Sequence, residues 1–325
     1  MTQVMIKPPR LKRGDTIGII SPSQSILVED EQKEGFEYGI KRLKGLGFKV
    51  KVSKHAKGKY FYSSGTPEER AEDLHNMFKD PEVKAILMSI GGNTANELLP
   101  LLDYELIKNN PKIFLGMSDG TTLLSPITDK TGLVTFYGPD LIYSFGIQKN
   151  TEKFDEQMFN CVMGGKAEYK RLGNLTDDKG QPIPSEWENI RSGQSKGRLV
   201  GGYLEIVVDL IGAKYLNVRD NSILFLESME TPDTIHLRLQ YLKLMGVFDN
   251  IKGLILGYFP NAKDDMRYYR PIGDIILELT KDKNFPILQI NELGHYVKNY
   301  TFPSGIEIEL DAENKTIIAL EDCVS

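Results

Sequence analysis

The sequence predicts an α/β protein built as two domains, and three observations carry that prediction. At 325 residues the chain is longer than a single domain usually grows. Through its first half, short apolar runs alternate with amphipathic segments, the pattern of a parallel sheet covered by helices. Between about 163 and 196 the pattern collapses into a polar stretch rich in Gly and Pro, after which apolar runs resume. The expected boundaries are a first domain over 1–165, a connector loop over 166–196 and a second domain over 197–325. A loop of that length usually serves as a functional cover or a linker.

Residues 16–21 (TIGIIS) read as a buried strand and 31–46 as a helix ended by Gly47. A second strand follows over 48–53. Thr66-Pro67-Glu68-Glu69 opens a helix: Thr caps it, Pro suits the first turn, and the acids meet the positive end of the dipole. Strands over 85–90 and 112–117 then alternate with helices over 93–102 and 121–129. In the second half the pattern resumes at 199–210, and 222–226 (SILFL) is a buried strand. A helix runs from 232 to about 245, stopped by Gly246, with Ile235, Leu239, Leu242 and Met245 on its core face. Strands over 253–259 and 286–291 precede a strand-rich end around 306–310.

Composition narrows the function. Hydrophobic residues at 40% and charged residues at 26% suit a soluble globular protein, and a net charge of −5 offers no footprint for nucleic acid or an anionic membrane. The opening MTQVMIKPPRLKRGD holds no apolar core of signal-peptide length, and no stretch is long enough to span a bilayer. Cys161 and Cys323 stand far apart without a metal-ligand spacing and read as free thiols, so the expected compartment is the cytoplasm. His55, His75, His236 and His295 are scattered, with no HExxH or Cys/His cluster to support a zinc mechanism, and no metal is expected.

Gly116-Met117-Ser118-Asp119-Gly120 sits between a strand and a helix, the context of a nucleophile elbow; an inert serine N-cap fits the pentapeptide equally well. A hydroxyl nucleophile needs a base, and the base an orienting carboxylate. His295 follows the strand PILQIN, and Glu227 ends the strand ILFLE, where a carboxylate is costly without a partner. Glu230, three residues on, is a rival acid. The turn Gly91-Gly92-Asn93 follows another strand; its N–H groups suit an oxyanion hole shared with the amide after Ser118, or simply a tight turn capped by Asn93. Trp187, the one tryptophan, sits in the polar connector, where an exposed aromatic would stack on a planar ligand.

At these residues the sequence resembles the LD-carboxypeptidase family of serine peptidases, in particular its MccF-like branch of microcin C self-immunity proteins. The likeness runs through RGDTIGIISPS (13–23), GTPEERAEDLHNMFKDPEVKAIL (65–87), IGGNTANELLPLLDYELIKNNPKIFLGMSDGTTLL (90–124), KTGLVTFYGPD (130–140), GRLVGGYLE (197–205), ILFLES (223–228) and GHYVKNYTFPSG (294–305). The resemblance implies a parallel-sheet α/β amino-terminal domain joined to a smaller α/β carboxyl-terminal domain, a homodimer, and no metal or organic cofactor. It puts the nucleophile on Ser118, the acid on Glu227, the base on His295, and the oxyanion donors on the backbone of Gly92 and Asp119. Trp187, Asn93 and Tyr203 are then expected to contact substrate. The expected substrate is an aminoacyl or peptidyl group joined through an amide to a nucleotide, with a murein tetrapeptide as the alternative. Three positions depart from the family pattern near the expected cleft: Gly120, Tyr203 and Tyr296. An α/β-hydrolase esterase, and a binding protein that sequesters a nucleotide-peptide without cutting it, are the rival readings.

Overall fold

The computed structural model describes residues 4–148, 151–172, 175–176, 180–183, 186–259 and 270–325. The chain forms two compact α/β units. The first comprises residues 1–167 together with 301–305 and 322–325; the second comprises 168–300 and 306–321.

The first unit is built on a six-stranded sheet of order β11-β5-β4-β3-β1-β2. Strands β1 (Thr16–Ile20), β2 (Lys49–Val52), β3 (Val83–Met88), β4 (Ile113–Gly116) and β5 (Thr135–Tyr137) run parallel, and β11 (Phe302–Ser304) pairs antiparallel with β5. Ile19, Ile86, Phe114 and Phe136 are fully buried, as the unbroken apolar runs require. Helix α1 (Asp30–Gly45) packs on β2 and on the π-helical segment Leu141–Ile147, α2 (Pro67–Lys79) on β1 and β3, and α4 (Thr121–Thr131) on β4 and β5; α3 (Tyr104–Asn109), α5 (Glu152–Phe159) and a second π-helical segment, Asn160–Gly164, lie in the same unit. At the start of α2 the Thr66 hydroxyl accepts the Glu69 N–H while the Glu69 carboxylate accepts the Thr66 N–H, a complete capping box.

The segment expected as a helix over 93–102 is a 3₁₀ turn, Ala95–Leu101. Pro100 lies inside it and has no N–H to give to an α-helical ladder. Arg70 ties this turn down: its buried guanidinium donates to the carbonyls of Pro22, Gly65 and Thr94 and pairs with Glu97.

The second unit holds a seven-stranded sheet of order β13-β12-β7-β8-β9-β10-β6. Its centre is parallel: β7 (Gln194–Tyr203), β8 (Ser222–Glu227), β9 (Ile251–Leu256) and β10 (Ile287–Gln289). Antiparallel strands β6 (Glu188–Arg191), β12 (Glu307–Asp311) and β13 (Thr316–Ala319) close its edges. Helix α6 (Leu204–Gly212) follows β7 directly, α7 (Pro232–Leu244) is followed after Gly246, at φ +73°, by the short α8 (Val247–Asn250), and α9 (Ile272–Leu279) packs against α7.

Two expectations for this region are corrected. The stretch read as a connector over 166–196 contains β6 and the first residues of β7. Strand β6 lies on the sheet edge with no buried residue, so it lacks the apolar alternation that marks a strand. Residues 199–210, read as one resumed pattern, divide at Tyr203 into a strand and a helix. Helix α9 was not foreseen at all.

Candidate active site

In the first unit Ser118 opens a single 3₁₀ turn (Ser118–Gly120) between β4 and α4, and its backbone sits at φ +57°. That left-handed conformation is rare for a residue with a side chain and marks a strained elbow. The turn is held from two sides. The Ser118 N–H donates to the Tyr137 hydroxyl at 3.2 Å, at the end of β5. The buried Asp119 carboxylate accepts from the Ser23 hydroxyl at 2.5 Å, the Ala95 N–H at 2.9 Å and the Thr122 hydroxyl at 2.7 Å. Asp119 therefore joins the segment after β1, the 3₁₀ turn after β3 and the start of α4, and its own N–H is oriented in consequence.

The two glycines after β3 permit the closest approach. A Cβ on Gly91 would lie 2.8 Å from the Ser118 Cβ and 3.0 Å from its Oγ. Gly92, at φ +140°, would put a Cβ 2.3 Å from the Ser23 Oγ. Asn93 is exposed on the same turn. Gly120 faces the Met88 sulfur, which a Cβ would meet at 3.1 Å.

In the second unit Glu227 ends β8 and is fully buried. Its Oε2 stands 2.9 Å from Nδ1 of His295, whose side chain is 14% exposed. Glu230, the rival acid, is not the histidine's partner: the Tyr203 hydroxyl donates to its Oε1 at 3.4 Å. Tyr203 pairs with Glu227 across the β7–β8 register, and its ring lies 4.8 Å from the His295 ring at 55°. Burial, together with Glu205, Glu230 and Glu227, pushes the Tyr203 phenol far up, so it remains a hydrogen-bond donor.

The loop that presents His295 is pinned at its base. Asn299 accepts the Gly294 N–H at 2.6 Å and donates to the Gly294 carbonyl at 3.0 Å. The Tyr258 N–H donates to the Leu293 carbonyl at 2.6 Å. Gly257 lets β9 pass between histidine loop and acid: its Cβ would meet the Leu293 oxygen at 2.5 Å and the Glu227 Cβ at 2.8 Å. Three residues before the histidine, the buried Glu292 carboxylate accepts from the Trp187 indole N–H at 2.6 Å and the Leu172 N–H at 2.7 Å. Burial raises the Glu292 pKa above the usual glutamate value, and these donors oppose the rise.

Trp187 corrects an expectation. It is 1% exposed rather than presented on a loop, because Glu292 draws its N–H inward. Tyr137, Gly257 and Glu292 escaped the sequence reading; each acts through a partner distant in the chain. Two of the other histidines have structural partners: His55 faces Asp73 at 3.1 Å, and His75 accepts the Asp103 N–H at 3.0 Å. Among the described residues, no group of three or more His, Cys, Asp or Glu is arranged to hold a metal ion, and no helix is long and apolar enough to cross a membrane.

The two-unit α/β fold is that of a serine carboxypeptidase, as comparison with known proteins shows. The LD-carboxypeptidase N-terminal domain matches residues 17–138, and the LD-carboxypeptidase C-terminal domain matches 196–310. The chain belongs to the LD-carboxypeptidase family. It is 33% identical to the microcin C7 self-immunity protein MccF of Escherichia coli, over 96% of this chain and 95% of that protein. It is 30% identical to a Bacillus subtilis protein named "Probable murein peptide carboxypeptidase", over 96% of this chain and 93% of the relative. The structure of MccF in complex with glutamyl sulfamoyl guanosine superposes with a TM-score of 0.90 at 31% identity, covering 98% of this chain and 99% of that one.

Proposed function

We propose that the protein is a MccF-like amide hydrolase that uses Ser118, His295 and Glu227 as a catalytic triad and releases an aminoacyl or peptidyl group from a nucleotide. The observation that carries this reading is the 2.9 Å bond between His295 Nδ1 and the fully buried Glu227 carboxylate. That bond fixes the imidazole tautomer and leaves Nε2 to act on a hydroxyl. The strained elbow at Ser118 is the complementary feature.

In the proposed reaction Nε2 of His295 takes the Ser118 proton as Oγ attacks the carbonyl, and Glu227 stabilises the imidazolium. The N–H groups of Gly92 and Asp119 hold the oxyanion. The imidazolium then protonates the leaving amide nitrogen, and water, activated by the same histidine, releases the acyl group from Ser118. Asn93 and Tyr203 are proposed to contact the substrate; Trp187 acts instead by supporting the histidine loop. A homodimer in the cytoplasm completes the reading, in line with the family resemblance.

Incubation of the purified protein with aspartyl sulfamoyl adenosine and, separately, with a murein tetrapeptide, with products read by mass, tests the substrate. Release of aspartate from the nucleoside analogue supports the proposal. Release of terminal D-alanine alone would replace it with murein peptide cleavage. Failure of a fluorophosphonate probe to label Ser118 would favour a non-catalytic binding protein.

A further inference from the structure

Three consecutive aromatic residues, Tyr60, Phe61 and Tyr62, stand exposed in the loop between β2 and α2. They form the tip of a small hairpin: the Tyr60 N–H donates to the Ser63 carbonyl at 2.7 Å, and the Ser63 N–H donates to the Tyr60 carbonyl at 2.9 Å. Phe61, the first of the two residues in the turn, lies at φ +54°. Two-residue turns give such a position to glycine, asparagine or aspartate, because a Cβ there crowds the backbone. The Phe61 ring is 76% exposed, so burial in the folded chain does little to offset that cost; it meets the Tyr60 ring edge-on at 4.9 Å. A strained residue that projects a large apolar group into solvent points to a role outside the fold itself.

The base of this hairpin is buried and tied to the serine elbow within the first unit. The Ser63 and Thr94 hydroxyls are hydrogen-bonded at 3.0 Å, and both residues are buried. The Thr94 N–H donates to the Ser23 Oγ at 3.1 Å, and the Ser23 hydroxyl donates in turn to the Asp119 carboxylate. A second connection runs through the backbone: the Ser25 N–H donates to the Tyr62 carbonyl at 2.8 Å, and the Gln24 N–H to the Gly91 carbonyl at 3.2 Å. The aromatic tip is thereby fixed relative to the Gly91-Gly92 turn and to Ser118. All these segments follow parallel strands of one sheet, and ligands of α/β proteins gather at that carboxyl edge.

We propose that Phe61, with Tyr60 beside it, is a specificity-determining residue that receives an apolar side chain of a peptidyl substrate, on the residue preceding the one whose carbonyl is attacked. This inference rests on the amide-hydrolase reading, because it concerns the acyl group that Ser118 accepts. When the leaving nitrogen departs, the acyl chain stays esterified to the Ser118 oxygen, so the first unit must hold that chain with its own surface. A preceding residue begins one peptide unit, about 3.8 Å, further along the chain. The hairpin offers it a ring already fixed in place, which gives contact area at little cost in conformational entropy.

The test compares phenylalanyl-aspartyl and glycyl-aspartyl sulfamoyl adenosine, which differ only in the residue before the aspartate. The wild-type protein should use the phenylalanyl compound with kcat/KM about tenfold above the glycyl one, the difference lying in KM. Phe61→Gly should shrink that ratio to within about twofold, and Phe61→Tyr should retain it. The glycine suits the turn, so that variant should melt no lower than the wild type. Titration of both compounds into the Ser118→Ala variant reads the same preference without turnover. Preferential binding of the phenylalanyl compound there, without hydrolysis by the wild type, would sink the hydrolase reading and leave this inference standing. Equal handling of the two compounds, including binding of neither, would overturn the inference. So would a ratio unmoved by Phe61→Gly, or a melting temperature lowered by it, which would make the ring a structural contact. Dissociation of a dimer by Phe61→Gly with the ratio intact would reassign the tip to an interface between copies.

Discussion

Ser118 holds a backbone torsion, φ +57°, that a residue with a Cβ adopts only at a cost of about 1–2 kcal/mol. Tyr137, Asp119 and the glycine pair around it supply the compensation. Two substitutions separate strain from chemistry. Ser118→Ala and Ser118→Gly should both lower turnover by several orders of magnitude, yet the glycine variant should melt higher, being about 1 kcal/mol more stable than the alanine one. Equal melting temperatures would show that the elbow stores no strain. Gly257 tests the other half of the machinery. The methyl of Gly257→Ala must displace either the Leu293 carbonyl or Glu227, so a stability loss of about 1–3 kcal/mol is expected. A fall in kcat of tenfold or more should accompany it, read by steady-state kinetics beside thermal denaturation.

Among the elements, the histidine loop depends on contacts with the stretch that precedes β6. Trp187 and Leu172 both donate to Glu292, so the polar segment is part of the support beneath His295. Trp187→Phe keeps the ring and removes the donor; loss of one bond to a buried carboxylate should cost about 1.5–3 kcal/mol in a denaturant titration. The same contact explains what sequence reasoning could and could not see. Strand β1, helix α2 and its Thr66–Glu69 box were legible because period and capping are local properties. Ser118, Glu227 and His295 were legible as candidates because each follows a strand, and the resemblance selected among them. Trp187 was misread because its partner Glu292 is 105 residues away. Strand β6 was hidden by its edge position, and Gly257 by the fact that a glycine's neighbours are written only in three dimensions.

For the molecule as a whole, stability should carry the mark of a buried amine. Lys112 is 8% exposed; its ammonium donates to the Met77 carbonyl at 2.9 Å and to the Asp80 carbonyl, and burial pushes its pKa down to about 8. Between that value and about 10.4 in the unfolded chain, the unfolded state binds more protons, so this group makes stability rise with pH across the window. Unfolding free energies measured from pH 7 to 10 should therefore climb in the wild type relative to Lys112→Met. A constant difference between the two would show that the amine titrates normally.

The division of the chain also bears on its synthesis. Strand β11 and residues 322–325 belong to the first unit although the whole sheet of the second is threaded before or between them. A nascent chain leaving the ribosome can assemble β1 to β5 early, yet the outer edge of β5 waits uncovered until residue 304 has emerged. A gene cut near position 167 would thus yield a fragment with an open sheet margin prone to aggregation. Circular permutants joining 301–305 directly to that fragment are the better route to an autonomous nucleophile half.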